Sequence, residues 1–312
     1  MIMHRCLYCY EPLGPGEKDF HSGCVRKFFG SSRLPEFPYS RKDMDALAEQ
    51  VIKAQTTLTG VQPKLSLHLD RHAGSRRLTI VGLWGDYIFK PQSERFDDLP
   101  ENEDLTMHLA ETAKIAVVPH TLIRLLDDSL GYLTRRIDRD GKGRKIPMED
   151  LCQLTERQTE YKYASSYERV AKAIREYSCI PGLDIANFYE VVLFAWITGN
   201  NDMHLKNFSL FAPDGRHRLT PAYDLLNARI ANPADRDELA LTLNGKRSRI
   251  GKADFAAAMQ GAGIPPNVLE NLVTKYKKLK PALEAVIDRS FLRDSGKADY
   301  KRLLNDRIDS LT

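Results

Sequence analysis

The hydrophobic period of this chain changes once, and that change limits the folds open to it. Between residues 65 and 90 the apolar positions alternate. Leu65, Leu67 and Leu69 are interleaved with Ser66, His68 and Asp70, and Leu78-Thr79-Ile80-Val81 returns after a turn at His72-Ala73-Gly74-Ser75. A second turn around Gly82 and Gly85 leads into Tyr87-Ile88-Phe89-Lys90, which Pro91 stops. A period of two in short runs bounded by turn residues belongs to half-buried strands, so a small antiparallel sheet is expected here. Residues 121–126 and 131–136 read as two more strands.

From about residue 147 the period becomes helical, over 167–176, 183–198, 252–260, 266–289 and 297–309. One hairpin, Phe208-Ser209-Leu210-Phe211 to Arg218-Leu219-Thr220 around Gly215, interrupts it. Two earlier helices are expected, at 43–53 (Met44, Leu47, Ala48, Val51, Ile52) and 102–116 (Leu105, Leu109, Ala113). Strands gathered first and helices afterwards predict an α+β fold, a small antiparallel β lobe followed by a larger helical lobe. The expected organisation is an N-terminal Cys/His module over residues 1–30, a β-rich lobe over 31–137 and a helical lobe over 138–312. No internal repeat is present.

Charge and hydropathy exclude several classes. Lys plus Arg is 46 and Asp plus Glu 42, a net +4 over 312 residues, too weak a surplus for a dedicated nucleic-acid binder. No apolar run approaches the roughly 18 residues of a membrane span, and Met1 to Cys6 carries no signal-peptide apolar core, so a cytoplasmic location is expected. Five cysteines, an odd number in a long chain, argue against a disulfide framework.

The chemistry concentrates in Gly199-Asn200-Asn201-Asp202-Met203-His204-Leu205-Lys206-Asn207. This loop follows the most apolar helix of the chain, Val191 to Ile197, and precedes the hairpin that returns Asp224 in Pro221-Ala222-Tyr223-Asp224. Phosphoryl transfer needs such a set: one carboxylate to take the proton of the attacking hydroxyl, and an amide oxygen with a second carboxylate to hold magnesium. Asp202 and Asn207 have the Asp-x-x-x-x-Asn spacing of a kinase catalytic loop. Hard oxygen ligands favour magnesium over zinc. The plainer alternative is a polar loop capping a buried helix, and Asp224 tips the balance towards chemistry.

A cation reaching nucleotide phosphates is expected from Lys90, at the end of an apolar strand, with Glu103 as its partner on the next helix. The alternative is an edge-strand lysine before a proline turn. Thr56-Thr57-Leu58-Thr59-Gly60-Val61-Gln62-Pro63-Lys64 lies where a phosphate-covering loop belongs, although one glycine makes it a weak motif and its threonines also suit strand entry.

Asn201 to Phe208, Leu219 to Asp224, Phe89-Lys90-Pro91 and Gly60 to Lys64 together resemble the HipA family of serine/threonine kinase toxins, in order and spacing from about residue 50 to 311. The family's extra N-terminal subdomain has no room here, so the chain looks closest to the short HipT-type kinase of three-component systems. The resemblance implies a two-lobed protein-kinase-like fold using ATP and Mg2+. Asp202 becomes the proton acceptor, Asn207 and Asp224 the magnesium ligands and Lys90 a phosphate contact. Thr59, Gly60, Val61, Gln62 and Lys64 become the phosphate loop, and Arg135, Arg136 and Ile137 an adenine-facing hinge. His204, Lys206 and Tyr223 would line the nucleotide site.

Inhibitory autophosphorylation would fall on Thr57 or Thr59, where relatives more often have serine. The implied substrate is an aminoacyl-tRNA synthetase. The implied partners are a HipS-like small protein and a HipB-like DNA-binding antitoxin, through which DNA is met only indirectly, with no membrane role. Two other readings stand beside this one. A kinase of a lipid or small-molecule alcohol would share the core set. A catalytically weak nucleotide-sensing module docking an operator-binding antitoxin has no need of all four of Asp202, Asn207, Asp224 and Lys90.

Cys6-x2-Cys9 and His21-x2-Cys24 offer four ligands in two short pairs, which fits a structural zinc site; a small cluster of reduced thiols is the alternative. Cys152 and Cys179 read as buried thiols, Glu160 to Ser166 as a mobile polar loop, and the basic runs at 246–249 and 277–280 as solvated faces.

Overall fold

The computed structural model describes residues 4–44, 46–47, 64–70, 76–81 and 85–311. The chain divides into two compact units. One comprises Met1–Asp104, Val118–Ile137 and Arg289–Phe291; the other comprises Leu105–Val117, Asp138–Asp288 and Leu292–Thr312.

The first unit is built on five antiparallel strands: β1 (Leu65–Asp70), β2 (Arg77–Val81), β3 (Tyr87–Lys90), β4 (His120–Arg124) and β5 (Leu130–Arg135), in the order β2-β1-β3-β5-β4. The alternation read in β1 is realised: Leu65, Leu67 and Leu69 are buried while Ser66, His68 and Asp70 are not. β3 lies between β1 and β5, with Leu65 opposite Phe89 and Phe89 opposite Leu133. That central place buries Lys90 as well as Tyr87 and Phe89. Position 131 on β5 has to be glycine, because a Cβ there would overlap the ring of Phe89.

Residues 4–30 are built into this same core rather than standing apart. Their helix, Ser22–Phe29, stops at Gly30 in the left-handed conformation. It places Phe28 5.8 Å from Tyr87 and 4.8 Å from Phe29, ring to ring. Burying each such aromatic contributes about 2–3 kcal/mol, a large share of what so short a segment gathers. Residues 41–44 and 46–47 are helical, and the rest of the helix expected to 53 lies outside the described residues.

The helix expected at 102–116 runs instead over Leu99–Thr112. Pro100 is tolerated in its first turn, and the Leu99 N–H donates to Gln92 Oε1 at 3.1 Å. Lys114 turns left-handed at the other end (φ 61°).

The second unit is helical, with Tyr167–Tyr177, Pro181–Thr198, Lys252–Gly261, Pro266–Arg289 and Asp294–Asp309 as its long elements. Pro181–Thr198 is buried nearly all round in its second half. It ends at Gly199 (φ 72°), where a Cβ would meet the Leu303 side chain and Asn227 Oδ1. Beside the helices lies a small sheet in the order β6-β7-β8: β6 (Met148–Asp150), β7 (Ser209–Phe211) and β8 (Arg218–Leu219). The hairpin was expected; β6 was not. Cys152 is buried as expected, but Cys179 is exposed, in the turn that enters the Pro181 helix. Among the described residues no helix is long and apolar enough to cross a membrane.

Candidate active site

In the helical unit, the loop after Gly199 is shaped by its own asparagines. The Asn200 N–H donates back to Ala195 O at 2.8 Å, and Asn200 Oδ1 accepts from the Asp202 N–H at 3.2 Å. The Asp202 carbonyl accepts from the His204 N–H at 2.8 Å and from Asn207 Nδ2 at 3.0 Å. A 3-10 turn over Leu205–Asn207 holds the asparagine there. Because the amide nitrogen of Asn207 is tied back to the loop, its amide oxygen is the end left for a cation.

Asp224 arrives from the hairpin in the left-handed region, with φ 56°, a conformation that costs a non-glycine residue about 1–3 kcal/mol and gathers at functional sites. Its approach is fixed on both sides. The Ala222 N–H donates to Ala116 O at 2.8 Å, and the Tyr223 hydroxyl lies 2.6 Å from Ser209 Oγ and donates to Lys206 O at 3.0 Å. Tyr223 therefore braces the loop that bears Asp202. Lys206 pairs with Asp150 at 2.7 Å, and Asp150 also caps the short helix Leu151–Leu154.

His204 lies two residues beyond Asp202 in this loop. Its imidazole is buried, and its Nδ1 has no hydrogen-bond partner among the described residues. Burial lowers its pKa to about 4 from 6.5, although the charges of both Asp202 and Asp224 act to raise it; Lys162 lowers it further. Both carboxylates are thus electrostatic neighbours of one neutral ring. Asp202, Asp224 and the Asn207 amide oxygen are hard oxygen donors of the kind magnesium takes, and His204 Nδ1 is an orphaned nitrogen that a nucleotide oxygen can satisfy. The residues present fit a magnesium-nucleotide.

Tyr163 was not singled out by the sequence. Its hydroxyl donates to Asp202 Oδ1 at 2.5 Å and its ring meets His204 edge-on at 4.9 Å. Burial, then the charge of Asp202, push the phenol well above its ordinary pKa. The segment expected to be mobile is docked at this point: Thr159–Tyr161 forms a 3-10 turn, the Leu205 N–H donates to Lys162 O at 3.2 Å, and Arg247 Nη2 donates to Tyr163 O at 2.5 Å. The only sequence signal was a pair of tyrosines, Tyr161 and Tyr163, in a polar stretch.

In the sheet unit, Lys90 Nζ and Glu103 Oε1 are 2.5 Å apart, with the side chains only 4% and 2% exposed. The ammonium also lies 5.4 Å from the centre of the Tyr132 ring. Lys64 is exposed at the entry to β1. The Arg135 guanidinium donates to the Phe28 carbonyl and lies over the Phe28 ring. The Arg136 N–H donates to Asp86 O at 2.9 Å, and Ile137 is half-buried. Thr57, Thr59, Gly60, Val61 and Gln62 lie outside the described residues.

The sequence matches the HipA-like C-terminal domain family over residues 56–283. It is 25% identical to a putative kinase of Haemophilus influenzae over 93% of this chain and 92% of the relative. It is 28% identical to the serine/threonine-protein kinase toxin HipA of Shewanella oneidensis over 75% of this chain and 58% of that protein. Among solved structures, the complex of Shewanella oneidensis HipA with HipB and operator DNA matches at a TM-score of 0.68 and 21% identity, covering 96% of this chain and 80% of that one. The likeness establishes an α+β kinase-like fold, an antiparallel sheet and a helical lobe.

Proposed function

Because this chain belongs to the HipA-like C-terminal domain family, we propose that it is an ATP-dependent protein serine/threonine kinase acting as the toxin of a toxin–antitoxin system. The observation that carries this reading is the Asp202–Asn207 loop, whose Asn207 amide is turned by its own hydrogen bond to the Asp202 carbonyl, together with Asp224 held in a left-handed turn after the anchored hairpin.

In the proposed reaction Asp202 accepts the proton of the attacking hydroxyl as the oxygen forms its bond to the γ-phosphorus and the bond to the β-bridging oxygen breaks. Asn207 and Asp224 would hold magnesium, which when bound neutralises charge on the phosphate oxygens. His204, uncharged at neutral pH, offers a ring nitrogen to a nucleotide oxygen without adding a charge of its own. Lys206 is held by Asp150 and Tyr223 by Ser209, so both keep the loop in place. Lys90, Lys64 and the loop of Thr59, Gly60, Val61 and Gln62 are assigned to the nucleotide phosphates by family resemblance, as are the Arg135 to Ile137 hinge and the self-modified Thr57 or Thr59.

The acceptor assigned on the same basis is an aminoacyl-tRNA synthetase. The assigned partners are a HipS-like small protein and a HipB-like antitoxin; support comes from the Shewanella structure, in which HipA is bound with HipB and operator DNA. Asp202→Asn should abolish transfer of label from γ-labelled ATP while leaving the thermal shift given by ATP and magnesium. Retained transfer would mean that another group takes the proton.

A further inference from the structure

The N-terminal segment carries a cage that the proposed phosphoryl-transfer chemistry does not use. One sulfur each from Cys6, Cys9 and Cys24 and one ring nitrogen of His21 all lie within 4.8 Å of one another. We propose that these four residues bind a single structural zinc ion, His21 through Nδ1, and that the ion fastens residues 4–30 to the edge of the sheet.

The spacing selects a mononuclear site. Zinc bonds of about 2.3 Å to sulfur and 2.0–2.1 Å to nitrogen, at the tetrahedral angle, put a sulfur and a nitrogen about 3.5 Å apart. Nδ1 of His21 lies 3.4 Å from Cys9 Sγ and 3.7 Å from Cys24 Sγ. An iron–sulfur cluster, which interposes several atoms between its cysteines, needs a wider cage. Three sulfurs and one imidazole are a zinc set, and four protein ligands leave no open position, so the site is structural.

The ring of His21 is oriented by something other than the thiols. Its Nε2 lies 3.0 Å from the Pro12 carbonyl, which can only accept. The proton therefore sits on Nε2, and Nδ1 turns its lone pair towards the two sulfurs. A backbone carbonyl on the far nitrogen of a histidine is the usual outer support of a metal ligand.

Local structure delivers the two pairs as separate turns. Tyr10 adopts the left-handed conformation (φ 63°), and its N–H donates to Cys6 O at 2.9 Å, which folds Cys9 back over Cys6. The Tyr10 hydroxyl donates to Asp104 at 2.6 Å, which holds that turn in place. His21 precedes the helix Ser22–Phe29, and the Cys24 N–H donates to His21 O at 3.0 Å in its first turn.

Between the cysteines, Leu7 O accepts from the Leu122 N–H at 3.3 Å and Thr121 Oγ1 at 3.2 Å on β4. The cage would cross-link the two turns whose backbone makes that register.

The test uses the full chain, expressed with zinc in the medium and purified under reducing conditions without chelator. Elemental analysis should find about one zinc per chain. Replacement by cobalt should give the visible bands of tetrahedral cobalt and a thiolate charge-transfer band. Cys9→Ser and Cys24→Ser should each lose the metal, His21→Cys should keep it, and Cys152→Ser should change nothing. Since the serine variants can fail to fold, the unmodified protein decides. Substoichiometric zinc with no cobalt bands, or disulfides among the four positions after purification, would overturn the proposal.

Discussion

Glu103→Gln breaks a buried ion pair of the sheet unit, Lys90–Glu103. At 2.5 Å, and at an effective dielectric constant of about 20, the Lys90–Glu103 attraction is about 6–7 kcal/mol before desolvation. Withdrawing each ion from water costs several kcal/mol, so the intact pair is nearly neutral as a contribution to folding. Removing one partner is different, because Lys90 is 4% exposed and loses that carboxylate without gaining solvent. The expected loss is about 3–5 kcal/mol, against 0–1 for a surface pair.

Urea unfolding of Glu103→Gln should register that loss, and Lys90→Met with Glu103→Leu should recover most of it. The double variant should nevertheless transfer no phosphate, which would separate a pair retained for nucleotide binding from one retained for stability. A loss under about 1 kcal/mol in Glu103→Gln would refute the buried-pair reasoning, and an active double variant would refute the role of Lys90.

Two further outcomes follow from the helical unit. The Tyr163 phenol occupies Asp202 Oδ1, which the proposed reaction needs for the acceptor proton, so Tyr163→Phe should raise transfer to an added protein acceptor by about 10- to 100-fold, the worth of one hydrogen bond to a charged group; a fall would make Tyr163 a positioning residue instead. His204 titrates near 4 in the folded chain and near 6.5 unfolded, so the unfolded state binds the extra proton first. Its neutral form is fully favourable above 6.5, and stability is lost as pH falls from there towards 4. Between pH 7.5 and 5 the loss is about 2 kcal/mol, which His204→Gln should remove; parallel pH dependences of unfolding in the two proteins would refute it.

What the sequence discloses here is what local pattern can encode. Alternation fixes β1 and β3, and the apolar run ending at Gly199 places the loop of Asp202 and Asn207. The strand-end Lys90 finds Glu103 because both elements are themselves legible. β6 is different: three residues with no apolar period become a strand only because Ser209 to Phe211, some sixty positions later, offer an edge. Tyr163 is illegible for the same reason, since nothing near it in the chain announces Asp202. Cys179 misleads in the opposite sense. Its apolar neighbours suggest burial, yet they enter a helix whose first turn faces outward.

The bare position at 131 carries a consequence for any saturation screen of this chain. Phe89 occupies the space a side chain there would claim, and Phe89 is adjacent to Lys90 on a strand where a one-residue slip would exchange the two faces. Substitutions at 131 should therefore score as badly as those at the acids, without touching a phosphate. Intolerance at that site measures strand alignment and is no evidence of chemistry.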